Sequence, residues 1–234
     1  MAVKNRKYTR PVYLVDGSRT PFLKARGKPG PFKHADLGIY ASRPLLQRMP
    51  FSPEDFDEVI MGSTMPGPDE ANIARIVALR LGCGDKVPAY TVHRNCASGM
   101  QALDSAAMSI ASGRSDLILA GGIEAMSQAP LLFHPKMVRW LASWWQAKTF
   151  SAKLKSLRAF RPTYLAPVIA LLKGLTDPVV GMNMGQTAEQ VAYRFGLTRT
   201  QIDEFAMNSH FKLHHAQQNN DLSEIEPIFD AMGN

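Results

Sequence analysis

Thr91-Val92-His93-Arg94-Asn95-Cys96-Ala97-Ser98-Gly99-Met100-Gln101-Ala102-Leu103 is the stretch on which the fold turns. Ala89-Tyr90-Thr91-Val92 reads as a strand, because β-branched and aromatic side chains suit a pleated surface. A tight turn follows, and a helix is predicted from Cys96 to Ser112. That helix is small-sided, with Ala97, Ser98, Gly99, Ala102, Ser105, Ala106 and Ser109 along it, so it can be closely packed on every side in the middle of the molecule. A thiol at its start lies against the positive end of the helix dipole, which favours the thiolate. The unpaired N–H groups there can also stabilise an oxyanion on a carbonyl that the sulfur attacks. A small core side chain is the other role open to a free cysteine. On these residues alone the two readings of Cys96 stand level.

Outward from this stretch, strands and helices alternate. Pro11-Val12-Tyr13-Leu14-Val15 reads as a short buried strand ending in the polar turn Asp16-Gly17-Ser18. Ser52-Pro53-Glu54 offers an N-cap, a first-turn proline and an acid suited to the positive helix end. Glu58-Val59-Ile60-Met61 is a strand, followed by a helix with Ile73, Ile76, Val77 and Leu81 on one stripe and Gly82 and Gly84 closing it. A further strand is predicted over Asp116–Ala120. Strands separated by helices imply parallel pairing through crossovers, so the fold class is α/β.

The pattern changes near Met126, which marks a boundary between a sheet-based domain (1–126) and a mainly helical one (127–234). Thr187 with Gln190, and Thr198 with Gln201, have capping-box spacing; the first helix should stop at Gly196. The second should turn Ile202, Phe205, Ser209, Leu213 and Ala216 inward.

The chain has 234 residues, 45% hydrophobic and 20% charged, and a net charge of +7. These values exclude a disordered tail, a collagen-like fibre or a repeat array. Two cysteines, Cys83 and Cys96, make no disulfide framework and no paired zinc spacing, which suggests a reducing compartment. Met1–Arg10 lacks the apolar stretch of a secretory signal, and the longest uncharged apolar run, Pro162–Leu172, is too short to span a bilayer. A soluble, cytoplasmic protein is expected. The positive charge is local: between Ala125 and Thr176 there are eight Lys or Arg and no Asp or Glu, while the rest of the chain is close to neutral. With no recognised module beside it, this segment does not point to nucleic acid.

Asn95-Cys96-Ala97-Ser98-Gly99-Met100-Gln101-Ala102 resembles the nucleophile motif of thiolases. Further stretches resemble the same family in the same order: Arg19-Thr20-Pro21, Asn72-Ile73-Ala74-Arg75, Ala120-Gly121-Gly122-Ile123-Glu124-Ala125-Met126-Ser127, Gly174-Leu175-Thr176-Asp177 and Gly185-Gln186-Thr187-Ala188-Glu189. The resemblance is strongest to 3-ketoacyl-CoA thiolases of fatty-acid β-oxidation. It implies a thiolase-like layered half followed by a loop domain, with Cys96 taking an acyl group from 3-ketoacyl-CoA and free CoA removing it. Coenzyme A is then a substrate, and no metal or redox cofactor is needed. Asn183, in Gly181-Met182-Asn183-Met184, stands where some thiolases carry a histidine near the substrate thioester; Asn183 and Met184 are thus expected in substrate binding.

The sequence also departs from the family. Thiolases have a second α/β half with an Asn-Glu-Ala-Phe motif, a Gly-His-Pro motif and a second reactive cysteine, and none of these occurs here. The chain therefore looks like an N-terminal half plus loop domain, either part of a split or truncated enzyme or a binding and assembly module without turnover. A condensing enzyme of the same superfamily is disfavoured by Gly185–Glu189. His93 stands where the family has asparagine, and its strand position three residues before Cys96 argues against a Cys–His dyad.

Met137, Trp140, Leu141, Trp144 and Trp145 fall at helical spacing, and Lys153, Lys155, Arg158 and Arg161 follow among Leu154, Leu157 and Phe160. Three readings remain open for residues 131–173: a packed core with solvated cations, a docking element for anionic membrane or a protein partner, and a site for CoA phosphates. The resemblance implies a homo-oligomer and suggests a hydratase–dehydrogenase subunit as that partner. His210 and His214 have zinc-binding spacing but no third ligand or glutamate base, so a solvated helix face is the simpler reading, with His215 beside them.

Overall fold

The computed structural model describes residues 10–24 and 28–233. The basic stretch read from Met1 to Arg10 thus lies, through residue 9, outside the described residues. The chain divides into two compact units, Met1–Gln128 with Phe211–Asn234, and Ala129–His210.

The first unit is built on three parallel strands, β1 (Glu58–Gly62), β2 (Ala89–Val92) and β3 (Ile118–Gly122), in the order β2-β1-β3. In register, Ile60 stands beside Tyr90 and Ala120. Side chains alternate across a strand, and β1 is buried on both faces. Val59 and Met61 pack with Ala35 and Ile39 of α1 (His34–Gln47) and with Ile73 and Val77 of α2 (Ile73–Leu81). On the opposite face Ile60 packs against Ala102 and Ala106 of α3 (Ser98–Ala111). This makes three layers, and each fully buried isoleucine contributes roughly 1.5–3 kcal/mol.

Local chemistry fixes the ends of these elements. Asn72 Oδ1 accepts from Arg75 N (3.3 Å) to start α2, and Gly82 ends it with φ 93°. Thr91 ties β2 to that helix: its hydroxyl donates to Asn72 Oδ1 (3.0 Å) and accepts from Ala74 N (3.2 Å). The cap expected at Ser52 starts only one 3₁₀ turn, Pro53–Asp55, closed by Ser52 N donating to Asp55 Oδ2 (2.7 Å). β3 begins later than Asp116 because the N–H groups of Asp116 and Leu117 donate to the Asp57 carboxylate, leaving the ladder to start at Ile118. Those two bonds hold the Asp57 carboxyl below its ordinary range.

Several expectations are corrected. Pro11–Val15 is not a buried strand; Tyr13, Leu14 and Val15 are 70–86% exposed, since no described strand pairs with them. The segment is held at its ends instead. Arg10 donates to the carbonyls of Ile110 and Ser115 and pairs with Asp116, and Arg19 pairs with Glu224. Helix α1 went unread because its buried stripe (His34, Ala35, Gly38, Ile39, Ser42) is small and partly polar, and Pro44 interrupts it. Helix α3 begins at Ser98, two residues after Cys96, and only one of its faces is covered: Met100 is 69% exposed, and Leu103 and Met108 also face outward.

The second unit holds a two-stranded antiparallel pair, β4 (Leu131–Leu132) with β5 (Val168–Ile169), and helices α4 (Pro135–Gln146), α5 (Phe150–Arg158), α6 (Ala170–Gly174) and α7 (Met184–Phe195). Helix α7 starts one turn earlier than the Thr187–Gln190 spacing suggests, with Asn183 and Gln186 as the capping box, and Gly196 closes it with φ 64°. Thr198 and Gln201 do make their reciprocal bonds at the head of α8 (Arg199–Gln218). The inner face expected on α8 is open: Ile202, Phe205, Ser209 and Leu213 are exposed, and only Ala216 is half-buried. Met207 and Phe211 lie off that stripe, so no single face of α8 is apolar enough to be driven inward.

Candidate active site

Three glycines bring the Cys96 turn to the C-terminal ends of the strands. Gly62 ends β1, Gly122 ends β3, and Gly99 lies in the first turn of α3. A Cβ on Gly62 would stand 2.2 Å from the main chain of Ser98, and one on Gly122 would stand 2.9 Å from the Cα of Gly99. The contact is backbone on backbone, so no side chain fits between helix and sheet. Ser98, nearly buried, accepts from Arg94 N (2.8 Å) and donates to the Asn95 carbonyl (2.7 Å). Asn95 has φ 48°, the left-handed region. Cys96 follows it, exposed, one residue before the N-cap Ala97, and no side chain among the described residues caps α3. The first N–H of that helix, Ser98 N, donates to the Asn95 carbonyl (3.0 Å), and Gly99 N is packed against Gly62 and Gly122. The free N–H groups expected beside the sulfur are thus already engaged or covered by the turn and the sheet. Cys96 fills no core among the described residues. Cys83 does: it is buried in the cluster beneath α2, and burial pushes its thiol up.

His93 does not turn to the sulfur; its Nε2–H donates to the Thr64 carbonyl at 3.1 Å. Beneath this turn lies a polar network that the sequence reading missed. His34, fully buried, stands between two carboxylates, with Nε2 3.2 Å from Glu124 Oε1 and Nδ1 3.4 Å from Glu70 Oε2. Glu124 Oε2 accepts from Thr64 N (2.8 Å), and the Thr64 hydroxyl donates to the Asn95 carbonyl (3.1 Å). The one available signal was Glu124 following two glycines at a strand end, a costly place for a carboxylate without partners.

Asn183 and Met184 belong to the second unit, whereas Cys96 belongs to the first. Asn183 Oδ1 accepts from Gln186 N (2.9 Å) as the cap of α7, and Met184 is its exposed first residue. In the same unit the tryptophan stripe is divided. Met137 is buried, while Trp140 stacks on Trp144 and meets Phe160, and its Nε1–H donates to Ser156 O (2.8 Å). Trp145 and Phe150, flanking the α4–α5 turn, are 83% and 84% exposed. Leu154 and Leu157 continue the Phe150 face along α5 and are exposed too. His210, His214 and His215 lie on the exposed part of α8, and no group of three metal-ligating side chains occurs among the described residues.

Burial raises the Glu124 carboxyl, but the bond from His34, the Thr64 N–H and the nearby His34 charge outweigh it and hold the group below its ordinary 4.5. A carboxylate depressed on folding stabilises the fold above its unfolded pKa and loses that contribution as pH falls through the folded value. Stability of the native chain is therefore expected to drop below about pH 4.5 more steeply than that of Glu124→Gln, measured as the denaturant midpoint at each pH. Parallel curves for the two proteins would show that Glu124 contributes nothing there.

The chain matches the family described as the thiolase N-terminal domain over residues 12–232. It is 35% identical over 219 residues to the human mitochondrial trifunctional enzyme subunit beta, covering 94% of this chain and 46% of that protein. It is 33% identical to a probable acetyl-CoA acyltransferase of Staphylococcus aureus, covering 93% and 51%. The fold superposes on human mitochondrial 3-ketoacyl-CoA thiolase with a TM-score of 0.78 at 28% identity, over 97% of this chain and 54% of that one. For the Bacillus anthracis acetyl-CoA acetyltransferase the values are 0.69 and 32%, over 84% and 45%. The chain spans about half the length of the relatives it matches. By sequence and by fold it belongs to the thiolase family, as an N-terminal thiolase domain.

Proposed function

We propose that this chain is the acyl-accepting part of a 3-ketoacyl-CoA thiolase, with Cys96 as the nucleophile. The observation that carries the reading is an exposed cysteine on a rigidly seated turn, directly before an uncapped helix N-terminus. In this reaction the Cys96 sulfur attacks the 3-keto carbon, and the bond between the 2- and 3-carbons breaks. Its electron pair leaves on acetyl-CoA, which takes up a proton, and the shortened acyl group stays on Cys96 as a thioester. The thiol of CoA then carries that group away. The positive end of the α3 dipole favours the thiolate and the negative charge that develops beside it. The reaction as written consumes only CoA and the 3-ketoacyl-CoA, with no metal or redox cofactor.

A second reading, that the chain binds or assembles without turning over alone, is favoured by the uncovered apolar face of α3 and the open Tyr13-Leu14-Val15 segment. The groups that move the proton would then come from a complementary thiolase half. Incubation with acetoacetyl-CoA followed by intact-mass and peptide analysis separates the readings. An acetyl adduct on Cys96, absent in Cys96→Ser, supports the first. An adduct seen only when a C-terminal thiolase half is added supports the second, as one half of a split enzyme. No adduct at Cys96 under either condition overturns Cys96 as nucleophile and leaves the chain a binding or assembly module.

For partners, we propose self-association, a hydratase–dehydrogenase subunit, and contact of the α4–α5 hairpin with an anionic membrane surface. Support for the membrane contact comes from the exposed Trp145, Phe150, Leu154 and Leu157 set among Lys148, Lys153, Lys155 and Arg158, in a stretch without acids. Vesicles of phosphatidylcholine with phosphatidylglycerol should sediment the chain, those of phosphatidylcholine alone should not, and Trp145→Ala with Phe150→Ser should weaken binding by about tenfold or more. Equal sedimentation by both vesicle types, or none by either, would remove the membrane contact.

A further inference from the structure

We infer that Thr64 and Glu124 are positioning residues for Cys96: a chain of hydrogen bonds from buried His34 through Glu124 and Thr64 to the Asn95 carbonyl holds the nucleophile's turn in place. This rests on the reading of Cys96 as the nucleophile and deepens it.

The argument begins at Asn95. Asn95 stands at φ 48°, in the left-handed region that few non-glycine residues adopt and that asparagine tolerates best, so its exact place depends on what holds its peptide. Here three donors converge on the Asn95 carbonyl: Ser98 N at 3.0 Å, Ser98 Oγ at 2.7 Å and Thr64 Oγ1 at 3.1 Å. The two from Ser98 are local to the turn and move with it. Only Thr64 comes from elsewhere, two residues beyond the end of β1, so it alone among these donors registers the turn against the sheet. Thr64 also holds the turn's other end, because its carbonyl accepts from His93 Nε2.

Thr64 is in turn fixed from beneath. Its N–H donates to Glu124 Oε2 at 2.8 Å, and Glu124 lies two residues after Gly122, where β3 meets α3. The second Glu124 oxygen accepts from His34 of α1, whose other ring nitrogen faces Glu70. One carboxylate thus links α1, the segment after β1 and the end of β3 to the residue that precedes the sulfur. Without the clamp, Asn95 can relax out of the left-handed region, and Cys96 swings away from the N-terminal end of α3.

The test is the rate of carboxamidomethylation of Cys96 by iodoacetamide in the full chain, with buried Cys83 as an internal gauge of core opening. Thr64→Val removes the hydroxyl at constant shape and should slow Cys96 by about threefold to tenfold, the worth of one hydrogen bond. Thr64→Ser restores the hydroxyl and should return the rate to within about twofold of native. Glu124→Gln should slow Cys96 comparably, with Cys83 still protected. Rates unchanged or raised in Thr64→Val and Glu124→Gln overturn the inference. So does loss of Cys83 protection in step with Cys96, which would make these groups core supports only. A native chain that forms no acyl adduct on Cys96 defeats the proposed function whatever these ratios are; an adduct with flat ratios defeats the positioning role alone.

Discussion

Main chain against main chain, with nothing between, is the constraint on which this structure depends. Gly62 and Gly122 end two neighbouring strands, and the first turn of α3 lies directly on them through Ser98 and Gly99. A helix can approach a sheet this closely only where the strand ends have no Cβ and the helix presents its main chain to them, as Ser98 and Gly99 do. The effect is to pin the start of α3 at the C-terminal edge of the parallel strands, where open α/β sheets place their binding crevices. The exposed sulfur and the N-terminal end of α3 share one location because of that contact. The turn between them is then narrow enough to be set by a few hydrogen bonds.

The two cysteines show how one residue type is sorted by its surroundings. Cys83 is sealed in the cluster under α2, where desolvation keeps its thiol protonated to higher pH, and its part is packing. Cys96 stands in the open on a turn whose preceding residue, Asn95, lies in the left-handed region. A similar sorting runs through the second unit. Trp140 and Trp144 stack inside the α4–α5 hairpin, while Trp145, one residue on, points outward with Phe150. Helical spacing identified the stripe, and only packing could divide it into core and surface.

The sheet was legible because its strands are short, apolar and separated by strongly amphipathic or small-sided helices. Glu58–Met61, Ile73–Leu81 and Ala89–Val92 are read from periodicity and glycine punctuation alone. Cys96 was legible as a candidate from its place after a strand and before a small-sided helix. Helix α1 was not, since Gly38, Ser42 and Pro44 disguise a buried face. Nor was the His34–Glu124–Thr64 chain, whose members are 30 or more residues apart in sequence and meet only through the fold. Pro11–Val15 and the α8 face Ile202–Leu213 read as buried because they are apolar, yet burial also requires a covering layer, and none of the described residues supplies it.

The most direct measurement on the central contact is the equilibrium unfolding of Gly62→Ala, with Cys96 labelling followed on the same samples. The added methyl would meet the Ser98 main chain at 2.2 Å, so helix and sheet must separate. The account predicts a loss of about 2 kcal/mol or more, with Cys96 labelling altered while the variant is still folded and Cys83 still protected. A variant as stable as the native chain, labelled at Cys96 at the native rate, would contradict it.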